Sequence, residues 1–332
     1  MNLAVFGTPE GGLLVGNGPF EVLAEPPENG VAFYRNDFAL SSPAPWFVPC
    51  SVKQIERGAS LEGLSDDLPE IEWEEPGVEP FAEVFAEVSQ AIRSGSIEKS
   101  VPVVTAGGRL VNGTCEGLCQ ILTSGLKALR PYAWIDGEEG VVGLSPERLF
   151  QLDGGTLHAM ALAGTARVEE REAFGVDEKE IREHEFVAQT LLAKLSDLGA
   201  TTRHSREIMD LGRLVHFHSG IDVELKELES VDRLVRLLHP TPALGPLPRT
   251  AETMARLIGW RQRLGCPRWF GSPFGLWRDG AFEALVAIRM ISWRGEEVEV
   301  PSGCGVIEES RLVNEWRELR LKRESVRIAF GV

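Results

Sequence analysis

Cysteine is scarce in this sequence, and the few cysteines do not form a disulfide pattern. The 332 residues contain five of them, at Cys50, Cys115, Cys119, Cys266 and Cys304. An odd number of widely scattered cysteines excludes the disulfide framework of a small secreted protein and predicts a reducing, cytoplasmic location. Cys115 and Cys119 lie four residues apart on a predicted helix, where they either pack in the core or hold a metal. Because no second Cys or His pair lies nearby, packing is the favoured interpretation.

Positive charge is also in short supply. The chain carries 34 Lys and Arg against 50 Asp and Glu, which gives a net charge of −16 at pH 7. Nucleic acids and anionic membranes are bound through clusters of basic residues that neutralise phosphate groups. No such cluster is present in the sequence, and we therefore expect no nucleic-acid partner and no membrane partner.

Long hydrophobic runs are missing as well. The longest uncharged stretch runs from Phe38 to Val52, contains three prolines and is too short to span a bilayer. No Lys or Arg precedes Arg35, whereas a signal peptide begins with basic residues. We therefore expect neither a transmembrane segment nor an export signal. The Gly-rich dinucleotide motif and the P-loop motif are also absent, so nothing in the sequence supports nucleotide binding.

The remaining composition, 43% hydrophobic and 25% charged, is that of an ordinary globular protein. Residues 1–75 are rich in Gly and Pro, which predicts a short divergent region of strands and turns packed on the main body. Residues 76–332 are predicted to form that main body. Apolar residues at helical spacing predict helices over residues 80–95, 114–129, 178–197, 229–238, 250–264 and 312–328.

Strands are predicted between these helices. Four of them occupy residues 132–161 and include two hairpins, with turns at Asp136-Gly137 and Gly154-Gly155. Three further β-rich segments are predicted over residues 268–277, 281–293 and 297–307. Because hairpins join antiparallel neighbours, we predict an α/β (α+β) fold with large mixed, mostly antiparallel sheets packed as a sandwich and helices on the outside.

Two predicted helices carry carboxylates on faces that should be apolar. Glu180 and Glu183 share the buried face of the long helix in the middle of the chain. Glu315 and Glu318 border the buried stripe of the C-terminal helix, beside Lys322. Burying an unpaired carboxylate costs several kcal/mol, so such groups are paired, protonated or bound to a metal. The four glutamates either offer oxygen ligands to Mg²⁺ or pair with arginines at solvated helix edges, and these residues alone leave both interpretations open.

Arg289 lies within an apolar segment that is predicted as a strand. A buried arginine nearly always faces an anion, which is either a bound carboxylate or a glutamate of the core. Gly303 and Gly305 follow the next predicted strand, and they leave backbone N–H groups accessible to an anion. These residues give a weak indication of an anion site.

Two of the six histidines, His216 and His218, alternate along another predicted strand. Residues two apart on a strand share one face of the sheet. Two ligands alone make a weak metal site, so we expect both histidines to serve packing.

Eight short motifs follow one another in order from residue 144 to residue 322. They are Leu144-Ser-Pro-Glu-Arg148, Leu162-Ala-Gly-Thr165, the segment Lys179–Val187, Leu238-His-Pro-Thr-Pro-Ala-Leu244, the segment Trp269–Trp277, Ala287-Ile-Arg289, Gly303-Cys-Gly305, and Glu315-Trp-Arg-Glu318 followed by Lys322. Their order and spacing resemble those of the chorismate-utilising enzymes, which include isochorismate, salicylate, anthranilate and aminodeoxychorismate synthases. The resemblance covers residues 80–330 and implies that family's fold, with residues 76–332 as the chorismate-binding catalytic domain.

The resemblance implies a magnesium site and a binding site for chorismate. Glu183 and Glu318 match the family's Mg²⁺ ligands. Glu315, and also Glu180, are implied to support the ion through water molecules. The bound ion is expected to hold the ring carboxylate of chorismate. The positions that match substrate-binding residues are Gly164, Thr165, His239, Ala243, Arg289, Gly305 and Lys322.

The resemblance also implies a catalytic pair. Lys99 stands where isochorismate and salicylate synthases keep a lysine base and where the aminating enzymes carry Gln, and Glu147 matches the general acid. The expected reaction is attack of water on C2 of chorismate, with Lys99 as the base, and loss of the C4 hydroxyl, with Glu147 as the acid. This chemistry needs a lysine pKa lowered by desolvation and a glutamate pKa raised by shielding. No glutamine amidotransferase segment is present, and no such subunit is expected.

The motifs are most similar to those of isochorismate synthases, so the expected activity is the isomerisation of chorismate to isochorismate. Two alternatives stay open. A salicylate synthase goes on to eliminate pyruvate, and a chorismate-binding protein has lost catalysis. The second is suggested by Pro102, which interrupts the strand that follows Lys99, and by Cys304, which replaces the usual alanine of Gly-Ala-Gly. The sequence leaves the pathway, menaquinone or siderophore, and the oligomeric state open.

Overall fold

The structure is a computed structural model that describes residues 1–124 and 129–332. The strands of the described chain are β1 (Asn2–Gly7), β2 (Leu13–Leu23), β3 (Val31–Arg35), β4 (Trp46–Ile55), β5 (Glu70–Glu74), β6 (Val103–Asn112), β7 (Arg130–Asp136), β8 (Glu139–Ser145), β9 (Arg148–Asp153), β10 (Thr156–Arg167), β11 (Gly199–Arg203), β12 (Glu207–Asp210), β13 (Leu214–Leu225), β14 (Pro273–Arg278), β15 (Ala281–Val286), β16 (Met290–Arg294) and β17 (Glu297–Gly303). The helices of the described chain are α1 (Glu79–Arg93), α2 (Arg171–Gly175), α3 (Glu178–Leu195), α4 (Val231–Leu238), α5 (Ala251–Arg263) and α6 (Leu312–Phe330), with 3-10 helices at Cys115–Ser124 and Val168–Glu170.

The ladders between the described strands are antiparallel. The two predicted hairpins are present, as β7–β8 and β9–β10. A long ladder joins β10 to β13, with a register shift between Ala163 and Ala166 that leaves Gly164 and Thr165 out of the pairing. The predicted mixture of helices with a large, mostly antiparallel sheet is confirmed.

The first 75 residues contribute strands to the same sheet as the rest of the chain. β1 pairs with β7, β3 with β14, and β5 with β6. Their apolar side chains enter a shared core, in which the rings of Trp46 and Phe282 lie 5.5 Å apart. The domain boundary at residue 75 stays a prediction.

The two helices with the predicted carboxylates are held by caps and by apolar packing. Asp177 accepts hydrogen bonds from the first N–H groups of α3, and Leu191 and Leu195 of that helix are buried against the sheet. α6 packs on β17 and ends at Gly331, whose φ of 73° is the left-handed conformation that favours glycine. Among the described residues, no helix is long and apolar enough to cross a membrane.

Two predicted elements need correction. The segment 281–293 is not one strand but two, because Arg289 adopts a φ of 54°, which interrupts the extended chain between β15 and β16. The helix predicted over 114–129 is a 3-10 helix at Cys115–Ser124, and residues 125–128 of that prediction lie outside the described residues.

The cysteines support the packing interpretation. All five are free thiols, and Cys115 and Cys119 are buried in an apolar cluster. Burial raises the pKa of the Cys115 thiol to about 12, which keeps it protonated and a poor metal ligand.

Candidate active site

One cavity lies where the bulge of β10, the first turns of α3, the gap between β15 and β16, and the middle of α6 meet. The residues predicted from the sequence that line it include Glu147, Gly164, Thr165, Glu180, Glu183, Ala243, Arg289, Gly303, Gly305, Glu315, Glu318 and Lys322. Lys99 reaches the same place, because its Nζ lies 3.8 Å from Oε1 of Glu183. The structure therefore brings these side chains together, and their individual roles stay predictions.

Four of the five glutamates that line this cavity come from α3 and α6, and lysines neutralise three of these four. The Nζ–Oε1 distances are 2.6 Å for Lys322 and Glu318, 3.0 Å for Lys179 and Glu180, and 3.8 Å for Lys99 and Glu183. The fourth, Glu315, is only 4% exposed. Burial, together with the charge of Glu318, raises the pKa of Glu315 to about 7. Carboxyl groups that lie this close to each other do not all ionise unless a cation binds near them.

The glutamates suit a divalent cation by their chemistry. Carboxylate oxygens are the ligands that Mg²⁺ prefers, and Glu183, Glu315 and Glu318 reach the cavity from two helices. In residues 1–124 and 129–332, no three acidic, His or Cys side chains are already arranged as a ligand set. The ion pairs give the physical reason, because lysine ammonium groups occupy carboxylate oxygens that a metal ion would use.

Glu147 is a buried carboxyl group at the end of β8. Its backbone N–H donates to Oγ of Ser145, which in turn donates to the carbonyl of Val286 on β15, so the turn is fixed in place. The residue is 3% exposed. Burial raises the pKa of Glu147 to about 7, while the charge of Lys99 acts in the opposite direction. The raised glutamate pKa expected of a general acid is therefore present.

Lys99 is held by two loops and not by a continuous strand. Its backbone exchanges hydrogen bonds with Leu247, and the next residue, Ser100, pairs with Val306. β6 begins only at Val103, so Pro102 lies just before the strand, where its missing N–H breaks no ladder. The prediction that Pro102 interrupts the strand is therefore wrong, since the strand begins after it. Lys99 lies inside the protein and is 2% exposed.

Arg289 projects into the cavity from the break between β15 and β16. Its unusual backbone is braced on both sides, because Oη of Tyr132 donates to the carbonyl of Ile288 at 3.0 Å and the N–H of Leu144 donates to the carbonyl of Arg289 at 3.1 Å. Burial lowers the pKa of Arg289 to about 10, so the guanidinium still carries its charge at pH 7. Its side chain donates to Oγ of Ser325 at 2.7 Å. Of the two interpretations of the sequence, the core-glutamate partner is therefore not found among the described residues.

His216 is a site residue that the sequence analysis missed. The ring lines the cavity, Nδ1 donates to the carbonyl of Gly164 at 2.6 Å, and Nε2 accepts from Nη2 of Arg289 at 3.3 Å. Burial, with the charges of Arg289 and Lys322, lowers the pKa of His216 to about 3, so the ring is neutral. The expectation of simple packing is wrong for His216. Spacing on a strand gives no signal for a contact with an arginine 73 residues away.

Two glycines are required where the backbone passes close to site residues. A Cβ at Gly305 would lie 2.9 Å from Cε of Lys99, which is closer than real side chains approach. Gly164 has a φ of 75°, and a Cβ there would press on Oε2 of Glu180 at 3.3 Å. The N–H of Thr165 donates to the same carboxylate oxygen at 3.0 Å, so this amide is not free to receive a substrate carboxylate in the present arrangement.

His239 does not line the cavity, in contrast to its predicted place in the substrate site. Its Nε2 lies 2.8 Å from the carbonyl oxygen of Phe38, and its ring packs edge-on against the ring of Phe38. The loop that follows does reach the cavity, through Ala243 and Leu244. The motif therefore locates the loop correctly, but the histidine anchors it to the N-terminal region.

Comparison with known proteins identifies the family of this chain. Residues 74–331 match the profile of a family described as "Chorismate binding enzyme". The chain is 32% identical over 215 residues to isochorismate synthase MenF of Bacillus subtilis (strain 168), covering 60% of this chain and 45% of that protein. It is 32% identical over 206 residues to isochorismate synthase EntC of Escherichia coli (strain K12), covering 58% and 51%. The aligned part thus spans about half the length of these curated relatives.

Among solved structures, similarity extends over nearly the whole chain. The menaquinone-specific isochorismate synthase MenF of Escherichia coli superposes with a TM-score of 0.83 at 18% identity, covering 99% of this chain and 89% of that chain. Anthranilate synthase component I of Streptococcus pneumoniae TIGR4 superposes with a TM-score of 0.74 at 15% identity, covering 98% and 92%. At these identities the superpositions show a shared fold. The family match over residues 74–331 goes further, and the chain belongs to the chorismate-binding enzymes.

Proposed function

We propose that this protein is an isochorismate synthase that isomerises chorismate to isochorismate with Mg²⁺. The observation that carries the proposal is the presence of two buried groups at one cavity, Glu147, whose pKa is raised to about 7, and Lys99, whose charge acts on it. An acid that keeps its proton near neutral pH and a shielded amine are what an exchange of hydroxyl groups across a ring requires. The two curated relatives described above are named isochorismate synthases.

The proposed roles follow from position. Arg289, oriented by His216 and Ser325, holds a carboxylate of chorismate. Lys99 is the proposed base that takes a proton from the water that attacks C2. Glu147, in its protonated form, donates to the departing C4 hydroxyl as the double bonds of the ring shift, so that the hydroxyl leaves as water. Gly305 leaves the space in which the Lys99 side chain lies.

Glu183 and Glu318 are the proposed Mg²⁺ ligands, with Glu315 in support through water. The bound ion would supply positive charge for the ring carboxylate of chorismate. Since lysines now hold Glu183 and Glu318, binding of the ion has to compete with these ion pairs.

Glu318→Gln is expected to weaken Mg²⁺ binding by at least tenfold and to weaken chorismate binding with it, because a neutral amide is a poor ligand for a hard cation. Calorimetric titration of Mg²⁺ measures this without turnover. The exposed Glu308→Gln on the preceding loop serves as the control and should bind Mg²⁺ like the wild type. Unchanged Mg²⁺ affinity in Glu318→Gln would remove this residue from the proposed site.

Tyr132→Phe is expected to raise KM for chorismate by roughly tenfold while kcat changes less, because loss of a buried hydrogen bond costs about 1–3 kcal/mol and loosens the backbone that presents Arg289. The chain has only two tyrosines, so Tyr34→Phe, in the core beside Trp46, is a matched control. Steady-state kinetics and thermal unfolding of both variants make the comparison. If Tyr132→Phe and Tyr34→Phe lose equal stability and KM for chorismate is unchanged in both, Tyr132 serves only packing.

The test of the function itself is incubation with chorismate, with and without Mg²⁺, followed by chromatography of the products. Isochorismate alone, formed only with Mg²⁺, supports the proposal. Salicylate with pyruvate would favour the salicylate synthase alternative. Thermal stabilisation by chorismate without conversion would indicate a binding protein, although the position of Pro102 outside β6 removes the main reason for that interpretation.

The cellular setting belongs to the same proposal. Five free thiols are consistent with the expected cytoplasmic location. The net charge of −16 supports a small-molecule substrate over a nucleic-acid partner. An isochorismate synthase needs water and not ammonia, so no glutamine amidotransferase subunit is proposed.

A further inference from the structure

A second cavity lies next to the candidate active site, and Arg289 and Val326 line both. Its volume is about 180 Å³. The walls are mainly apolar side chains from the end of β8, the loop before β13 and the last turns of α6, including Leu144, Leu211, Leu214 and Phe330. The side chain of Arg289 therefore stands between the two cavities.

The charged side chains of this second cavity are both cationic, Arg213 and Arg289. Arg213 is exposed and forms no ion pair with the residues that the structure describes. The carboxylates of Glu169 and Glu324 line only a neighbouring surface cleft, and Glu324 accepts a hydrogen bond from Arg320 at 2.8 Å. An apolar chamber that has two guanidinium groups and, among the described residues, no carboxylate in its lining is suited to an anion that has an apolar body.

We propose that this second cavity binds a small aromatic carboxylate. A dry cavity of about 150 Å³ accepts benzene, so a chamber of 180 Å³ has room for one ring. A guanidinium binds a carboxylate through two parallel hydrogen bonds, which explains why an aromatic acid fits better than a neutral ring. Ser325 lines the same cavity and now accepts from Nη1 of Arg289, so a carboxylate there would compete for that donor.

The consequence for activity rests on the proposed function of Arg289. If Arg289 holds chorismate, an anion in the second cavity that takes the guanidinium donor now bonded to Ser325 lowers the affinity for substrate. Coupling between two binding sites is reciprocal, so bound chorismate must lower the affinity for the aromatic acid by the same factor. A cyclohexadiene carboxylate becomes an aromatic acid when it aromatises, so the second cavity would respond to later compounds made from the proposed product.

Calorimetric titration with benzoate tests the site. Wild-type protein is expected to bind benzoate, and Arg213→Ala to bind it roughly tenfold more weakly or worse, because the variant loses a charge-assisted hydrogen bond. Ala329→Phe, which places a ring in the cavity, should have the same effect. Arg93→Ala, an exposed arginine at the end of α1, is the matched control and should bind like the wild type. The turnover of Arg213→Ala without benzoate should equal that of the wild type.

Two results would overturn the inference. One is an absence of benzoate binding at millimolar concentration. The other is binding that Arg213→Ala leaves unchanged, which would place benzoate in the substrate cavity. Should Ala329→Phe fail to fold, Arg213→Ala decides alone. If benzoate binding depends on Arg213 but the protein does not convert chorismate, the proposed function is refuted and the second site is supported. If the protein converts chorismate but does not bind benzoate, the second site is refuted and the proposed function is supported.

Discussion

Glu147→Gln is expected to lower kcat for chorismate by about 10²–10⁴-fold, the usual contribution of a general acid, and to change KM only slightly. The amide has the size of the carboxylic acid and fits the same buried place, but it has no proton to give to the departing hydroxyl. Steady-state kinetics with chorismate measures the loss. The exposed Glu138→Gln, in the turn between β7 and β8, should leave both constants unchanged.

The same carboxyl group predicts a pH dependence of turnover. Because the pKa of Glu147 is about 7, the protonated form that donates is depleted as pH rises above that value. The kcat of the wild type should therefore fall on the alkaline side of pH 7. A rate that stays constant from pH 6 to pH 9 would exclude Glu147 as the acid.

Stability provides an independent readout of this substitution. Below the ordinary value of 4.5, Glu147 is protonated in both the folded and the unfolded protein. As pH rises from 4.5 to about 7, the unfolded chain releases the proton and the folded protein keeps it, so folding becomes less favourable. One pKa unit corresponds to about 1.4 kcal/mol, so the full loss above pH 7 is roughly 3 kcal/mol. Glu147→Gln should not show this loss of stability, so at pH 8 it should unfold at a higher denaturant concentration than the wild type. The difference between the two unfolding midpoints should become small near pH 4.5.

Lys99→Ala is expected to lower kcat by a similar 10²–10⁴-fold, since the water that attacks C2 then lacks its base. Chorismate should still bind, because Arg289 and Lys322 are unchanged. Kinetics with added methylamine offers a sharper measurement, since a small amine that enters the space left by the side chain should restore part of the rate. Lys53→Ala, at an exposed ion pair with Glu62, is the control.

A near-normal rate in Lys99→Ala would contradict the assignment of the base. Thermal unfolding has to accompany the kinetics, because removal of Lys99 also leaves Glu183 without its ion-pair partner. A folded variant with normal chorismate binding and no turnover is the result that distinguishes a catalytic lysine from a merely structural one.

The helices of the site were predictable from local pattern. α3 and α6 begin and end within two residues of the predicted bounds, because their apolar residues recur at helical spacing and Asp177 and Gly331 cap them. The same pattern identifies the glutamates, because they are carboxylates on a helix face that it predicts to be apolar. Their assignment to one cavity, however, came from the order of the eight motifs and not from spacing within either helix.

The errors concern residues whose neighbours are distant in the chain. Arg289 was placed inside a strand because the flanking residues are apolar, yet its positive φ depends on hydrogen bonds from Tyr132 and Leu144 on other strands. His216 was assigned to packing and His239 to the substrate site. His216 lines the cavity and forms a hydrogen bond with Arg289. His239 does not line the cavity and forms a hydrogen bond with the carbonyl of Phe38.

The sequence by itself determined the helices of the site, the two hairpins and the membership of the chain in the chorismate-binding enzymes. These properties depend on interactions between residues close in the chain or on the types of side chain present. Only the tertiary structure decided which ionisable groups are buried, which partners they have and where the backbone is bent to present them. Burial and pairing depend on segments far apart in the chain, as with Ser100 and Val306, and desolvation by burial raises the pKa of Glu147 to about 7.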